Sequence, residues 1–384
     1  MKRIAIFTSV DSFETWFGGV FGLTREAYVE SYRNDWAWEY ASGLADLGHE
    51  IVIYVLSRGP EERRGALPGV SVRFVALARW HRLVDALLYR LRSWPGVAEL
   101  RAKIEFRAFR TSLIRGLRDD HIDVLYNQEF WTPRFDMLVD RLSVAIVGAD
   151  HGGFCDGRTR TKERTLKRAR KLVCQTAEQL EQVRALGADA LLITNGVDTE
   201  FFCPSPGEVE REKHILAVGR LSDRQKRFSD LIRAMEYLPE FHLSIVGTGE
   251  DEASLKRLAS AMKLGERAAF LGFIADRAHL RELYRTCGVF ASSSAWEAMA
   301  LVMLEAMSCG APVAATRIPA SQALIDEGIN GFLAPVGSPE QISRAIRSAY
   351  HARGSIGKKA RETIIQRFAA KLVYKQLSGL IEAV

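Results

Sequence analysis

The sequence predicts an α/β protein with two doubly wound parallel-sheet domains, and three observations support this fold class. Short runs rich in β-branched residues alternate with helical stretches of ten or more residues, which is typical of parallel sheets wrapped by helices. The pattern breaks between residues 195 and 212, where an N-G-V-D turn at 195–198 is followed by a P-S-P-G linker at 204–207. A length of 384 residues suits two domains, since one domain typically has about 150 residues.

The predicted strands fall into two sets, one in each expected domain. The first domain, expected over residues 1–200, has predicted strands at 4–7, 51–56, 72–75, 124–126, 144–147, 171–173 and 191–194. The second, expected over residues 201–365, has predicted strands at 215–218, 243–246, 269–271, 289–291 and 312–314. Residues 360–384 read as helix, and we expect residues 366–384 to pack back on the first domain. We also expect the two domains to face a central cleft, because ligands bind at the carboxyl ends of parallel strands.

One helix is predicted after the first loop. An apolar face of one continuous helix is predicted from residues that recur at intervals of three or four, namely Val29, Tyr32, Trp36, Tyr40, Leu44 and Leu47. This position predicts that Trp36 and Tyr40 are core residues rather than ligand contacts.

The composition is that of an ordinary globular protein. Apolar residues make up 47% and charged residues 26%, which argues against a disordered, collagen-like or coiled-coil chain. The five cysteines form no C-x-x-C pair, so neither a zinc site nor a disulfide framework is expected. Neither a signal-peptide pattern nor an apolar run of about 18 residues occurs. We therefore expect a cytoplasmic protein, and its net charge of +6 suggests an anionic partner.

Glycines and cations after predicted strands are candidates for binding phosphate. Gly18 and Gly19 follow the first strand, where glycines allow close approach and leave amides exposed; a flexible loop explains them equally well. Arg220 follows Gly219 at the end of the strand at 215–218, and Lys226 comes six residues later, just before a helix expected near Phe228. A phosphate would meet two cations and a helix N-terminus there, although a solvated basic turn fits the spacing as well.

The G-T-G turn at 247–249 does not complete a dinucleotide-binding fingerprint. The third glycine is missing, and the acidic residues Glu250 and Asp251 follow Gly249 directly. Binding of NAD or FAD at this turn is therefore not expected.

The strongest candidate segment is residues 292–307, in which a serine-rich strand end leads into a helix expected to begin near Ala300 or Leu301. Glu305 is an acid within this apolar helix, and a buried carboxylate must be hydrogen-bonded or paired. A ligand hydroxyl and an arginine partner are both adequate explanations. Glu297 precedes the helix N-terminus, where an anion is favourable in any case, so it is equally explained as a helix-start acid.

Taken in order, these motifs resemble those of the family-4 retaining glycosyltransferases of the GT-B fold, which has two Rossmann-like domains. Each motif is modest by itself, whereas their shared order along nearly the whole chain is specific. The matching residues are Gly18-Gly19, Gly48-His49-Glu50-Ile51, His151, the turn at 195–198 with Phe202 and Pro204, Gly219-Arg220-Leu221 with Lys226, and Glu297 with Glu305.

The resemblance implies that these residues bind a nucleoside-diphosphate sugar, with UDP or GDP as the nucleotide. Arg220 and Lys226 would hold the diphosphate, Glu305 would accept hydrogen bonds from the ribose, and Glu297 would face the sugar. His151 would lie beside the sugar, which makes it, with Glu297, Arg220 and Lys226, one of the implied catalytic residues. The implied donor-binding positions are Gly18, Gly19, Gly219, Arg220, Lys226, Gly249, Phe273, Ile274, Glu297, Met299, Ala300, Leu301, Val302 and Glu305.

The implied activity is transfer of a hexose-type sugar, with retention of configuration, to a hydroxyl on a glycan, glycolipid or small molecule in cell-envelope or polysaccharide biosynthesis. No residue presents itself as a covalent nucleophile, so we expect same-face attack with the leaving diphosphate stabilised by cations and helix amides. No D-x-D motif is placed to hold a metal, and neither a metal nor another cofactor is expected. The alternatives are a GT-B phosphorylase and a sugar-nucleotide epimerase.

The sequence departs from the family pattern at the glutamate loop. The usual E-G-F-G reads E-A-M-A at 297–300, and Lys226 is followed by Arg227 where a glycine is common. These changes leave the fold and the reaction class unaffected and leave the identity of the sugar open.

Residues 79–118 of the first domain combine many arginines with aromatic and leucine residues, including Trp80, Leu83, Leu87, Arg90 and Trp94. Such a basic, amphipathic stretch predicts peripheral contact with an anionic membrane, at its inner face for a cytoplasmic protein. A second basic run spans residues 158–171. Solvated helix faces are the alternative for both, and no motif for binding nucleic acid occurs.

Overall fold

The computed structural model describes residues 1–8, 12–33, 35–84, 96–151, 160–207 and 211–384, apart from the side chains of Ala98 and Arg160. It divides the chain into two compact units. The first comprises Met1–Ile193 with Tyr374–Val384, and the second comprises Thr194–Val373. The turn at 195–198 thus belongs to the second unit, whereas we expected the boundary at residue 200. Leu87, Arg90, Trp94 and Arg158, from the two basic runs, lie outside the described residues.

The first unit contains an eight-stranded sheet in the order β3-β4-β2-β1-β5-β6-β7-β8. The pairing is parallel throughout except between β3 and β4, which are antiparallel. The prediction missed β3 because its side chains alternate between half-buried and exposed and include no apolar run. The strands are β1 Arg3–Phe7, β2 Glu50–Ser57, β3 Glu62–Leu67, β4 Val70–Ala76, β5 Val124–Gln128, β6 Ala145–Ala149, β7 Lys171–Cys174 and β8 Ala190–Leu192.

The helix predicted after the first strand is divided in two, so the prediction of one continuous helix was wrong. The division occurs because the Asp35 side chain accepts a hydrogen bond from Trp38 N at 3.2 Å and caps a new helix. The described helices of this part are α1 Phe17–Phe21, α2 Arg25–Glu30, α3 Trp36–Ala45, α4 Val97–Asp119, α5 Pro133–Arg141, α6 Arg160–Arg168 and α7 Ala177–Ala185.

The second unit contains a fully parallel six-stranded sheet in the order β11-β10-β9-β12-β13-β14. Five of these strands were predicted, and the short β14 was missed. The strands are β9 His214–Val218, β10 His242–Val246, β11 Ala268–Gly272, β12 Val289–Ser292, β13 Val313–Thr316 and β14 Phe332–Ala334. The helices are α8 Asp223–Lys226, α9 Phe228–Ala234, α10 Glu252–Ala261, α11 Arg277–Thr286, α12 Leu301–Ser308, α13 Pro319–Leu324, α14 Pro339–His351 and α15 Arg353–Arg367.

The C-terminal helical region is interrupted before α16 (Ala370–Glu382). At the break, Val197 N donates to Phe368 O and Ala370 N donates to Val197 O, both at 2.9 Å. The turn at 195–198 therefore pairs with the chain just before α16. Gly196 is required there, because a Cβ at this position would lie 2.8 Å from Ala370 Cα.

Both faces of each sheet are apolar and buried. Residues 51–57 of β2 are all buried, and so are Ile215, Leu216 and Ala217 of β9, which explains why these strands read as continuous apolar runs. Among the described residues, no helix is both long enough and apolar enough to cross a membrane.

Candidate active site

The loop after β9 is shaped by close packing against the loop after β10. Gly247 has φ +135°, and a Cβ on it would lie 1.9 Å from Gly219 O. A Cβ on Gly249 would lie 2.5 Å from Leu221 O, and Leu221 N donates to Thr248 O at 2.9 Å. Gly247 and Gly249 thus let the two loops touch, so packing alone accounts for the glycine at position 249.

Two of the predicted site residues meet at the carboxyl ends of neighbouring strands. Lys226 Nζ lies 2.5 Å from Glu297 Oε1, and Ser294 Oγ donates to the same oxygen at 2.7 Å. The side chains of Lys226 and Glu297 are 17% and 9% exposed. A largely buried carboxylate is thereby compensated by a cation and a hydroxyl.

Backbone contacts hold the glutamate loop against α8. Ala295 N donates to Gln225 O at 2.7 Å, and Ser293 Oγ donates to Lys226 O at 2.8 Å. On the far side, Thr316 Oγ1 donates to Ser294 O at 2.5 Å. These contacts fix Glu297 opposite Lys226. The sequence placed Ser293 and Ser294 in the strongest candidate segment without giving them a role, and it did not single out Thr316.

The helix that follows the glutamate loop begins at Leu301, as predicted. Its N-cap residue, Ala300, provides no capping side chain, and the first turn contains no acid. Asn195 Nδ2 donates to Met299 O at 2.9 Å and anchors the approach to the helix. The amino end of α12 therefore has a positive dipole end without a capping carboxylate or hydroxyl.

Glu305 has an arginine partner, one of the two explanations that the sequence left open, and it also accepts from a tyrosine hydroxyl of the chain. Tyr284 OH donates to its Oε2 at 2.9 Å, and Arg277 Nη2 lies 3.9 Å from its Oε1. Burial and the neighbouring Glu305 charge raise the pKa of Tyr284 well above its usual value, so the phenol stays a donor. The Glu305 side chain retains 13% exposure, which leaves it accessible to a further donor.

Two other parts of the predicted donor site lie on loops of this unit. Arg220 is exposed, and its charge helps to lower the pKa of Glu250, since the backbone, the Ser222 hydroxyl and Arg220 together outweigh the effect of burial. Phe273 and Ile274 follow β11 and are half-buried.

The amino end of α9, which the sequence offered as a phosphate site, is already occupied by an acid of the chain. Asp223 Oδ1 accepts a hydrogen bond from Ser229 N there, at 2.8 Å.

The two glycines of the first unit that were predicted to approach a phosphate do not form a loop. Gly18 and Gly19 lie within the short helix α1, and Gly18 N donates to Phe13 O at 2.8 Å. The expected outward-pointing amide is thus absent at Gly18, because the chain turns into a helix directly after residue 16. The residue with left-handed backbone is Gly22, at the end of α1.

His151 lies in an aromatic environment of the first unit. Its ring is stacked on Trp36, with a centroid distance of 4.2 Å and an interplanar angle of 17°, and Tyr40 meets it edge-on at 5.3 Å. Tyr40 is buried, as predicted, whereas Trp36 is only half-buried. The prediction that Trp36 is simply a core residue was wrong, because division of the helix places it at the start of α3 beside His151.

Two family profiles match the chain in succession. The family described as "Glycosyltransferase Family 4" matches residues 36–201, and the family described as "Glycosyl transferases group 1" matches residues 198–368. Their matched segments include His151, Lys226, Glu297 and Glu305. The chain belongs to the GT4-like glycosyltransferases.

Curated relatives of this GT4-like glycosyltransferase come from bacteria, an archaeon and a plant. A phosphatidyl-myo-inositol mannosyltransferase of Mycobacterium leprae is 28% identical over 74% of this chain and 79% of its own length. A lipopolysaccharide core biosynthesis glycosyltransferase of Rhizobium meliloti is 30% identical over 41% of this chain and 46% of its own. The chain spans about half the length, or less, of several other curated relatives that it matches.

Solved structures confirm the GT-B fold of this GT4-like glycosyltransferase. A sucrose-phosphate synthase from Thermosynechococcus elongatus superimposes with a TM-score of 0.77 at 18% identity, covering 100% of this chain and 99% of that one. Anabaena HepE, solved in complex with UDP-glucose, superimposes with a TM-score of 0.71 at 18% identity over the full length of both chains. At such low identity these likenesses concern the fold.

Proposed function

We propose that the chain is a retaining, metal-independent glycosyltransferase that transfers a hexose from a nucleoside-diphosphate sugar to a hydroxyl acceptor. One observation carries this proposal: Lys226 and Glu297 meet beside the uncapped amino end of α12, where β9 and β12 end next to each other. A cation and free helix amides suit a diphosphate, and a carboxylate suits sugar hydroxyls.

The donor would be held mainly by the second unit. Arg220 and Lys226 would contact the diphosphate, and Glu305 would accept hydrogen bonds from the ribose. Glu297 would contact the sugar, as would His151 of the first unit. The crystal structure of HepE with UDP-glucose supports a uridine nucleotide as the first candidate donor.

In the proposed mechanism the acceptor hydroxyl attacks on the face from which the diphosphate leaves. The leaving group accepts the acceptor's proton, while Arg220, Lys226 and the amides at the start of α12 stabilise its growing negative charge. Lys226 has to reach the diphosphate, which weakens its ion pair with Glu297 and frees that carboxylate for the sugar. Cations of the chain thus do the work that a metal ion does in other sites.

The acceptor would be a lipid-linked hydroxyl, because relatives named for phosphatidyl-myo-inositol mannosylation and lipopolysaccharide core biosynthesis act on such molecules. The long helix α4 supports this proposal. Its inner face is buried through Phe106, Phe109 and Leu113. Its outer face, which we call the basic face, exposes Lys103, Arg107, Arg110 and Arg118.

Exposed apolar side chains lie close to the basic face in the sequence. Leu100 is 47% exposed, Trp80 46% and Leu83 79%. Cations for lipid headgroups, together with apolar side chains for the interface, suit a peripheral contact with the inner face of an anionic membrane, where a cytoplasmic enzyme would meet lipid acceptors.

Calorimetric titration with UDP, GDP, ADP, UDP-glucose and GDP-mannose in the presence of EDTA tests the proposed function. We expect one nucleoside diphosphate and its sugar to bind without metal, and the transferred sugar to keep its anomeric configuration by NMR. Binding only after addition of a divalent metal would contradict metal independence. Phosphorolysis by inorganic phosphate, or conversion of the sugar without an acceptor, would contradict transfer itself.

A further inference from the structure

His151 is held on several sides by side chains of the first unit. Trp36 covers one ring face at 4.2 Å, and Tyr40 meets the ring at 84°. Tyr126 OH lies 3.3 Å from Nε2, and Gln175 Nε2 lies 3.5 Å from Nδ1. The stacking contact is the closest of the ring contacts, so Trp36 determines the plane of the imidazole most directly.

Three of the described residues that contact this ring are neutral and buried. Tyr40, Tyr126 and Gln175 are buried, with at most 1% exposure. Burial raises the pKa of Tyr40 to about 12 and that of Tyr126 well above its usual value, so both phenols remain neutral. Trp36 differs from them in being half-buried and in lying at the first position of α3.

We propose that Trp36 is a positioning residue for His151: its indole holds the imidazole in the plane in which His151 acts on the donor sugar. The inference rests on the proposed function for the role of His151, whereas the stacking itself does not. A positioning residue of this kind acts through the ring it supports and need not touch the substrate. Phenylalanine would preserve the flat support, and leucine would not.

Stacking on an indole also affects the charge of the ring. An imidazolium over the face of a tryptophan is favoured by the ring quadrupole. Of the titratable groups near His151, Tyr40 and Tyr126 contact its ring from α3 and β5, and Tyr374 of α16 packs against Tyr40. Cys174, whose thiol pKa is raised by burial to about 12, directly precedes Gln175. Asp150, the residue before His151, accepts a hydrogen bond from Gln179 Nε2 at 2.8 Å.

Tryptophan fluorescence of the intact chain tests the stacking without any need for turnover. A protonated imidazole quenches an adjacent indole, so one component of the wild-type emission should fall as the pH is lowered and the histidine takes up a proton. This component should be absent from both Trp36→Phe and His151→Gln. Trp38→Phe is the matched control and should retain it, because Trp38 is buried against Tyr28 instead. Persistence of the component in Trp36→Phe or His151→Gln would overturn the stacking.

Steady-state kinetics then distinguish a positioning role of Trp36 from a purely structural one. Trp36→Leu should lower kcat about 10- to 100-fold with little change in donor KM, because a misplaced imidazole loses its orientation in the transition state while donor binding is kept. It should also move the acidic limb of the pH–rate profile, while Trp36→Phe should recover most of kcat. A Trp36→Leu enzyme with wild-type kcat and pH profile would refute the proposal. A wild type that transfers no sugar but shows the fluorescence titration would refute the proposed function and leave the stacking established.

Discussion

Lys226 Nζ lies 2.5 Å from Glu297 Oε1, and this ion pair joins α8, which follows β9, to the loop that follows the neighbouring strand β12. Each residue has a separate proposed ligand, the diphosphate for Lys226 and the sugar for Glu297. Their pairing means that each compensates the other when no donor is bound. A single substitution at either position therefore changes both stability and donor binding, and the two effects have to be measured apart.

Breaking the pair should destabilise the second unit. Lys226→Ala leaves a largely buried carboxylate uncompensated, so we expect the free energy of unfolding to fall by about 2–4 kcal/mol. The double variant Lys226→Ala/Glu297→Gln should recover part of this loss, because the remaining group is neutral. Urea unfolding measures the stability and calorimetry with the nucleoside diphosphate measures binding. Affinity should stay low in both variants, and a double variant with restored affinity would argue against diphosphate binding by Lys226.

The two glutamates should affect different kinetic constants. Glu297→Gln should lower kcat mainly, since the proposed contact with the sugar strengthens in the transition state, whereas Glu305→Gln should raise the donor KM mainly. Steady-state kinetics over a range of donor concentrations distinguishes them. Tyr284→Phe is the control for Glu305, because it removes the 2.9 Å hydrogen bond without changing the carboxylate. A Glu297→Gln enzyme with normal kcat would contradict the proposed role.

The basic face of α4 should carry the protein onto anionic membranes. We expect the wild type to sediment with phosphatidylglycerol vesicles at low salt but not with phosphatidylcholine vesicles, since each cation near the surface contributes about 1 kcal/mol. Replacing Lys103, Arg107 and Arg110 by glutamine should release it.

A matched control for the vesicle experiment removes three exposed cations of the second unit, Arg233, Lys256 and Arg344, whose side chains are 50%, 52% and 64% exposed. This variant has the same net charge as the α4 variant and should still sediment. Equal release of both variants would show that net charge rather than the basic face is responsible.

The loop after β10 should tolerate no side chain at Gly247. Gly247→Ala combines a φ of +135° with a Cβ 1.9 Å from Gly219 O, and we expect it to lower the free energy of unfolding by about 2–5 kcal/mol. Gly354→Ala provides the comparison, because nothing lies within 4 Å of that position and it lies in the helix α15. Denaturant unfolding should show it unchanged or slightly more stable. Similar midpoints for the two variants would be inconsistent with the close packing of the loops.

Stability should depend on pH through His49, whose side chain is fully buried. Its Nε2 lies 2.8 Å from Ser378 Oγ, and Lys2 N donates to its Nδ1 at 3.2 Å. Burial lowers its pKa, so the folded protein holds it neutral while the unfolded chain takes up a proton below about pH 6.5. Its stabilising contribution is therefore present above that pH and is lost as the pH falls through the lowered folded-state pKa.

We expect the free energy of unfolding to fall between about pH 7 and 5, and His49→Gln to reduce this slope. His214, whose pKa is also lowered by burial, should account for part of the slope that remains. Urea titrations at a series of pH values measure both effects. Identical pH profiles for the wild type and His49→Gln would show that this histidine does not couple folding to protonation.

Strands that are buried on both faces could be predicted from the sequence. β2, β9 and β12 read as apolar runs because helices cover parallel sheets on each side. The same reasoning missed β3, whose exposed side chains belong to an antiparallel edge strand, and β14, which has three residues. It also joined α2 and α3 into one helix, because periodicity alone gives little weight to a capping aspartate such as Asp35.

The sequence by itself determined the fold class, the order of the motifs and the chemical types of the proposed site residues, because burial and residue chemistry leave local patterns along the chain. Only the tertiary structure decided which residues are partners. Lys226 meets Glu297 across 71 positions because their strands are neighbours in the sheet. Trp36 likewise reaches His151 from the start of α3. Such pairs depend on strand order and on where helices begin, and neither leaves a periodic signal in the sequence.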